Sequence, residues 1–195
     1  MRDGTKRILV AFSRADDRSF AEGLTWYPVA RDLAIELAGD VTEGAGVIAA
    51  LSPQVSWERN IDLARDAYHD YWHGQVYNAI WKARRIITGA DPDEVLPRGK
   101  KTWCFYHTIA DPSSRHVVID RHACAIAEGV PVRCDPGRIG VVRYHERAAD
   151  YLAAADYLGR PVSEVQAVTW CARRNTHVST LSNTVHTTLT SGEST

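Results

Sequence analysis

Closely spaced cysteines are missing from this sequence. Its four cysteines, Cys104, Cys124, Cys134 and Cys171, are scattered over the chain. No two of them have the two-residue spacing of a zinc ribbon, and no tight group could hold an iron–sulfur cluster. We therefore expect reduced thiols, as in a cytosolic protein, with no metal and no cofactor.

Long apolar runs are also missing. The longest ones, such as Val47–Leu51 and Val117–Ile119, are far shorter than the roughly 20 residues that a membrane-spanning helix needs. The segment Met1–Arg7 carries charges, and no apolar stretch of signal-peptide length follows it. The sequence thus predicts a soluble protein of the cytoplasm with no membrane partner.

An excess of charge of either sign is absent as well, because the net charge is −1. A DNA-binding protein needs a basic face rather than a basic total, so this balance does not exclude nucleic acid. Lysine is rare: only four of the 23 basic residues are lysines, and two of them, Lys100 and Lys101, are adjacent.

Helical periodicity is what the sequence does have. Apolar residues recur every three or four positions in most segments, which predicts an all-α fold with one helical domain over 1–175. The predicted helices are Ser19–Leu37, Gly44–Leu51, Trp57–Trp72, Val76–Ile87, one starting at Asp91, Lys100–Ala110, Arg121–Glu128, Glu146–Leu158 and Ser163–Arg174, the last capped by Ser163. Residues 176–195 are rich in Ser and Thr, and we expect a flexible tail there.

The stretch Leu96–Val130 is the most informative part of the chain and reads LPRGKKTWCFYHTIADPSSRHVVIDRHACAIAEGV. It predicts a proline–glycine turn, a lysine pair at the start of a helix, a second turn, and a short extended run that ends at Asp120. An aspartate in that position often does no more than cap the next helix.

This arrangement resembles the endonuclease III branch of the helix-hairpin-helix DNA glycosylases. That family has a leucine-proline-glycine hairpin, a lysine-threonine pair that opens a helix, and an apolar run that ends in valine-aspartate-threonine-histidine. Here Lys101-Thr102 is similar to the first motif, and Ile119-Asp120-Arg121-His122 is similar to the second.

The resemblance extends upstream and covers about 47–130. The segment Ala50–Gln54 is similar to the family's Leu-Leu-Ser-Ala-Gln, and Tyr77–Ile87 is similar to the helix that begins Tyr-Asn-Ser-Lys-Ala there. The chain also departs from the family. Its hairpin, Leu96–Gly99, has one glycine instead of two, Arg121 replaces a small threonine, the iron–sulfur cluster is absent, and 146–174 has no counterpart.

The resemblance implies an enzyme that turns a base out of DNA into a pocket. Asp120 would stabilise a cationic sugar or activate a nucleophile. Lys101 would attack the sugar carbon and form a Schiff base, or else only bind phosphate. His122 would orient the carboxylate or act as acid or base, or else be an ordinary hydrogen-bonded histidine.

Aromatic and amide side chains suit the reading of a flipped base. The candidate substrate-binding residues are Gln54, Trp57 and Asn60 near one helix start, and Gln166 and Trp170 on the last helix. The tryptophans are equally compatible with a core position. Arg98, Gly99 and Lys100 of the hairpin are the candidates for contact with the DNA backbone.

Three functions remain open on this sequence. The first is a DNA N-glycosylase, with or without lyase activity. The second is a transferase that hypermodifies thymine in DNA, like some phage proteins thought to be distant glycosylase relatives, which would act in a phage-infected cell. The third is a non-catalytic DNA-binding module. The base, the strandedness of the DNA and the oligomeric state are left undetermined.

Overall fold

A computed structural model describes residues 1–131 and 139–174, and the described chain is helical without any strand. The all-α prediction is therefore confirmed, while the predicted tail at 176–195 lies outside the described residues. The helices are α1 (Asp3–Ser13), α2 (Asp17–Ala38), α3 (Val41–Leu51), α4 (Trp57–Tyr68), α5 (Tyr77–Ile87), α6 (Pro92–Val95), α7 (Lys101–Ala110), α8 (Arg121–Glu128) and α9 (Val141–Leu158). A further helix, α10, covers 162–174.

Local capping signals explain most of these boundaries. Gly39 ends α2 in the left-handed conformation with φ 71°, as a C-terminal glycine does. The side chain of Asp91 accepts a hydrogen bond from the Asp93 backbone N–H, with Pro92 at the first helical position. Helix α8 has the predicted bounds because Asp120 caps it and Gly129 ends it.

Several predictions about helices were wrong, among them the starts of α3 and α9, which begin at Val41 and Val141 and not at Gly44 and Glu146. Helix α1 was not predicted because half of its buried residues, Gly4 and Thr5, are not large apolar side chains. Helix α4 ends at Tyr68, before Asp70 adopts a φ of 57°. Ser163 does not cap α10 but lies within it, and its hydroxyl donates to the Pro112 carbonyl at 2.6 Å.

Helix α3 lies at the centre of the fold. All its residues from Gly44 to Leu51 are buried, and it packs against α2, α5 and α7. A helix that is apolar on every face must be covered on every face, which is why α3 is the core of the domain. It is only 11 residues long, and none of the described helices is long and apolar enough to span a bilayer.

Two glycines allow α2 to approach its neighbours closely. A methyl group at Gly44 of α3 would overlap the carbonyl oxygen of Ala34. A methyl group at Gly23 of α2 would lie 2.5 Å from the backbone nitrogen of Val168 in α10. The Gly23 contact thus brings α2 against α10, and the Gly44 contact brings it against α3.

Gly23→Ala should lower the free energy of unfolding by about 1–3 kcal/mol, because the new methyl group forces two helix backbones apart. The matched control is Thr25→Ala, an exposed position of the same helix, which should change stability by less than about 0.5 kcal/mol. Urea denaturation followed by circular dichroism measures both variants. Equal stability of the two would contradict the close packing of α2 on α10.

Candidate active site

A cavity of about 140 Å³ lies where α2, α4, α7, α8, α9 and α10 meet, and it is partly open to solvent. For comparison, an apolar cavity of roughly 150 Å³ holds one benzene molecule. The space therefore matches a single flat ring in size.

Aromatic side chains form most of the wall. The ring centroid of Trp26 lies 4.8 Å from that of Trp57 and 6.3 Å from that of Trp170. The aromatic residues of the lining are Trp26, Tyr27, Trp57, Phe105, Tyr151 and Trp170. Such a wall offers flat surfaces for stacking and keeps the local dielectric constant low.

One cation and one anion, Lys101 and Asp120, are the charged residues of this lining. Neither an ion pair nor a hydrogen bond joins the Lys101 ammonium group to any described residue. Asp120 Oδ1 accepts a hydrogen bond from the Ala123 N–H at 2.8 Å as the cap of α8, whereas Oδ2 receives none from the described residues. The carboxylate therefore caps a helix and still has one oxygen available at the cavity.

The amino-terminal ends of three helices meet at this cavity. Trp57 is the first residue of α4, Lys101 is the first residue of α7, and Asp120 caps α8. Helix N-termini carry partial positive charge and favour anions. The site is therefore suited to a group that becomes negative, and it keeps the Asp120 carboxylate in favourable surroundings.

The extended run Val117–Ile119 leads to Asp120 and pairs with no strand in the described chain. Side chains supply the hydrogen-bond partners of its backbone instead. Gln166 Oε1 accepts from the Val118 N–H at 3.1 Å, and its Nε2 donates to the Val118 carbonyl. The Tyr144 hydroxyl donates to the Val117 carbonyl at 2.8 Å, and the Ile119 N–H donates to that hydroxyl at 3.3 Å. Because buried backbone groups need partners, these two residues determine the path of the chain into the site.

Two buried tyrosines, Tyr27 and Tyr151, and one histidine, His122, lie within the electrostatic influence of Asp120. Burial raises the pKa of Tyr27 well above its usual range, and the charge of Asp120 raises it further. Burial lowers the pKa of His122, against the opposing effect of Asp120. His122 is therefore neutral near pH 7, and Arg121 Nε donates to its Nε2 at 3.3 Å.

Six of the residues singled out from the sequence come together here. They are Trp57, Asn60, Lys101, Asp120, Gln166 and Trp170. His122 lies beside the cavity, with its ring centroid 6.4 Å from that of Trp170. The structure does not bring Gln54, Arg98, Gly99 or Lys100 into the lining.

Gln54 lies in the loop between α3 and α4, which borders the cavity. Its backbone has a positive φ of 64°, and its side chain is exposed. Ser52 and Val55 of the same loop do line the cavity. Gln75 Nε2 donates to the carbonyls of Leu51 and Pro53 at 2.8 and 2.9 Å. These hydrogen bonds hold the backbone of the loop in place.

The predicted hairpin is a turn between the four-residue α6 and the longer α7. Leu96 is buried, and Pro97, Arg98, Gly99 and Lys100 are exposed. Gly99 has a φ of 67°, a conformation in which glycine avoids the strain of a side chain. The hairpin thus presents two cations to solvent directly before Lys101.

The family model described as a family of unknown function, DUF7178, matches residues 1–177. The chain belongs to the DUF7178 family. No curated protein and no solved structure matches it. The matched range contains every cavity-lining residue of this DUF7178 chain, and it includes α9 and α10, which the glycosylase resemblance did not cover.

Sequence reasoning missed Trp26 and Tyr151 of the DUF7178 site. Trp26 lies next to Tyr27 on a helix whose apolar residues are already explained by the core. Its contact with Trp57 arises only when the helices pack together. Tyr151 lies within a helix of ordinary periodicity. A surplus of tryptophan, six in 195 residues, was the one available signal for an aromatic site.

Metal-ligating side chains do not cluster in this DUF7178 chain as far as it is described: no group of three or more His, Cys, Asp or Glu could hold an ion there. Cys104, Cys124 and Cys171 are buried free thiols. Burial raises the pKa of Cys104, so it is a poor nucleophile. The cavity therefore offers Lys101 and Asp120 as its reactive groups.

Gln166→Leu should lower the free energy of unfolding by about 2–4 kcal/mol, because the buried N–H and carbonyl of Val118 both lose their partner. Glu164→Gln is the matched control on the same helix, since it only weakens a partly exposed ion pair with Arg160 and should cost less than about 1 kcal/mol. Guanidinium denaturation measures both. A Gln166→Leu variant as stable as the control would show that Val118 does not depend on this side chain.

Proposed function

We propose that this protein acts on a base in DNA, as an N-glycosylase that receives a flipped base in the cavity. One observation carries the proposal: a lysine and an aspartate, the residues that the glycosylase resemblance singles out, line the same ring-sized aromatic cavity. A base inside a duplex cannot be reached by side chains, so extrusion into such a pocket is required.

Binding of the flipped base would rest on stacking. The indoles of Trp57 and Trp170 flank the cavity together with Trp26, and every base has a flat face that such rings accept. Asn60 is buried and lines the same space, where an amide can read the edge of a base. Stacking by the indoles and hydrogen bonding by the amide explain why the site contains both types of residue.

Asp120 would stabilise the transition state of base removal. As the bond between the sugar C1′ and the base nitrogen breaks, its electron pair leaves with the base and the sugar becomes cationic. The ionised carboxylate of Asp120 faces that cation, and the three helix N-termini favour the negative charge on the leaving base. Water then adds to C1′, and its proton goes to the solvent or to the base.

Lys101 would add a covalent intermediate to the reaction. A deprotonated amine attacks C1′ in place of water, the base leaves with the electron pair, and loss of a proton with opening of the sugar ring gives a Schiff base. The Lys101 side chain has no ion-pair partner among the described residues, so no carboxylate contact has to break before the amine meets the sugar. His122 lies beside the cavity, but its Nε2 already accepts from Arg121 Nε, so the proton that the amine loses goes to the solvent.

The exposed hairpin supplies the contact with the DNA backbone. Arg98 and Lys100 are cations that can approach a phosphate, and Gly99 between them leaves the backbone N–H accessible. Lys101 follows directly, so binding of a phosphate at the hairpin would bring the adjoining sugar towards the cavity.

A thymine-modifying transferase on the same fold is the second candidate. It is favoured by the reduced hairpin, in which a helix of only four residues precedes a turn with one glycine, because this arrangement grips a duplex less firmly. Analysis of nucleosides by mass spectrometry distinguishes the two reactions, since excision releases a free base and transfer leaves an altered nucleoside in the strand. A DNA-binding module would give neither product.

Asp120→Asn should reduce base release by about 100-fold or more, because the cationic sugar loses its counter-charge. The assay uses labelled oligonucleotides, single-stranded and duplex, that each contain uracil, 5-hydroxymethyluracil, 8-oxoguanine or hypoxanthine, followed by alkaline cleavage. Asp16→Asn is the matched control, because Asp16 caps α2 in the same way and asparagine caps a helix as well as aspartate.

The outcome of this comparison is decisive for the carboxylate. Loss in Asp120→Asn with full activity in Asp16→Asn assigns the effect to the cavity and not to helix capping. Normal turnover by Asp120→Asn would refute the proposed site, and absence of base release from every oligonucleotide by the unmodified protein would refute the glycosylase.

Borohydride should trap the protein on an oligonucleotide that contains an abasic site, because reduction makes the Schiff base with Lys101 permanent. Lys101→Gln should abolish the trapped species on a denaturing gel, whereas Lys6→Gln, which changes an exposed lysine of α1, should retain it. Trapping that survives in Lys101→Gln would exclude this residue as the nucleophile.

A further inference from the structure

Exposed aromatic side chains are concentrated on one short part of the surface. Of the tyrosine, tryptophan and phenylalanine residues that are exposed in the described chain, all but Tyr157 lie within 71–81. They are Tyr71, Tyr77 and Trp81, with exposed fractions of 62%, 82% and 43%. A single exposed ring is ordinary, whereas several close together mark a surface that binds a partner.

Helix α5 presents two of these rings in line with an arginine. Tyr77, Trp81 and Arg85 follow one another at intervals of four residues, and each is exposed, so they form one row along the helix. The Arg85 guanidinium group lies 5.2 Å from the centre of the Trp81 ring. The opposite side of α5 packs on α3 and contains the buried residues Ala79, Ala83 and Ile86.

The charged residues of α5 are all cations. They are Lys82, Arg84 and Arg85, and none of the three forms an ion pair with a described residue. The Arg84 guanidinium group lies 4.8 Å from the centre of the Trp72 ring, so it also rests against an indole. Unpaired cations beside exposed rings complement a ligand that carries both anionic groups and flat aromatic groups.

The carboxylates just before α5 are engaged with other partners. Asp66 Oδ2 lies 2.8 Å from His73 Nε2, and Asp70 Oδ1 accepts the indole N–H of Trp72 at 2.6 Å. Neither carboxylate forms an ion pair with a cation of α5. The cations of the helix are therefore available to an external anion.

A single strand of nucleic acid carries both kinds of group. It has a phosphate at every nucleotide, and its unpaired bases can stack on exposed rings. A duplex also has phosphates, but its base faces are covered by their neighbours in the stack. A lipid surface would need apolar side chains that enter its acyl region, and no aliphatic side chain of α5 is exposed.

We infer that the outer face of α5, formed by Tyr77, Trp81, Arg84 and Arg85, binds single-stranded DNA. Bases stack on the two rings, and phosphates bind the two guanidinium groups. In taking the strand to be DNA and not RNA, the inference rests on the proposed function. The outer face is distinct from the cavity, because none of its four residues lines that space.

One short segment connects the two sites. Gln75 lies two residues before α5, and its side chain donates to the carbonyls of Leu51 and Pro53 in the loop that borders the cavity. The outer face of α5 thus extends the contact with DNA beyond the hairpin and the cavity.

Fluorescence anisotropy of a labelled oligodeoxythymidylate of about 15 nucleotides, a length near the upper end of known single-strand sites, tests the rings without any need for catalysis. The full chain should bind this strand more tightly than a duplex of the same length. Tyr77→Ala and Trp81→Ala should each weaken binding about tenfold, the usual effect of losing one stacked base. Tyr157→Ala is the matched control, since it removes a tyrosine of α9 that is 70% exposed, and its affinity should be unchanged.

The salt dependence of binding tests the cations. The double variant Arg84→Gln with Arg85→Gln should reduce the slope of log affinity against log salt concentration by about 1.4, because each phosphate contact with a single strand contributes about 0.7. Arg14→Gln with Arg18→Gln removes the same charge from exposed positions elsewhere and should leave the slope unchanged. Glutamine forms helices nearly as well as arginine, so both variants should fold.

Unchanged affinity in both Tyr77→Ala and Trp81→Ala, equal effects of the two arginine double variants, or tighter binding of the duplex or of oligouridylate RNA would each overturn the inference. Binding of polyglutamate in preference to the oligonucleotide would overturn it in favour of an acidic protein partner. Base release that is unaffected by the α5 variants, with no loss of strand binding, would refute the surface and leave the glycosylase standing. Weakened strand binding in those variants, without base release from any oligonucleotide, would instead keep the surface and refute the glycosylase.

Discussion

The candidate site depends on the hydrogen bonds that two side chains make to an extended segment without a strand partner. Val117–Ile119 crosses the interior of a helical protein, where its backbone groups cannot reach water. Gln166 of α10 and Tyr144 of α9 supply the partners. Because Asp120 follows at once, the two carboxy-terminal helices position the acidic group although only Tyr151, Gln166, Ala167 and Trp170 of those helices touch the cavity.

The cavity combines features that have opposite effects on charge. Its aromatic wall limits contact with water, which penalises isolated charges. The converging N-termini of α4, α7 and α8 and the Lys101 ammonium group compensate by favouring negative charge. The Asp120 carboxylate is therefore tolerated at the edge of an apolar space, because its Oδ1 accepts the Ala123 N–H and its other oxygen still faces the cavity. This balance is what makes a charged group available to a buried ligand.

The sequence predicted the polar part of the site better than its aromatic part. Lys101 and Asp120 were singled out because the motifs around them, with a turn before one and an extended run before the other, resemble those of the glycosylases. Trp57 and Asn60 were found because they lie three residues apart at a helix start. Trp26 and Tyr151 were missed, since their part in the site comes from helices that pack there from distant positions in the chain. Gln54 was expected near a flipped base, and it lies exposed on the bordering loop instead.

Local chemistry in the sequence determined the helices and several of their ends. Gly39, Asp91 with Pro92, and Asp120 act through hydrogen bonds and backbone angles within a few residues, so their effect is readable without a fold. The cavity was decided only by tertiary structure. Its existence depends on the close approach of α2 to α10 at Gly23 and on the pairing of Val118 with Gln166, and such contacts between remote residues leave no periodic trace in the chain.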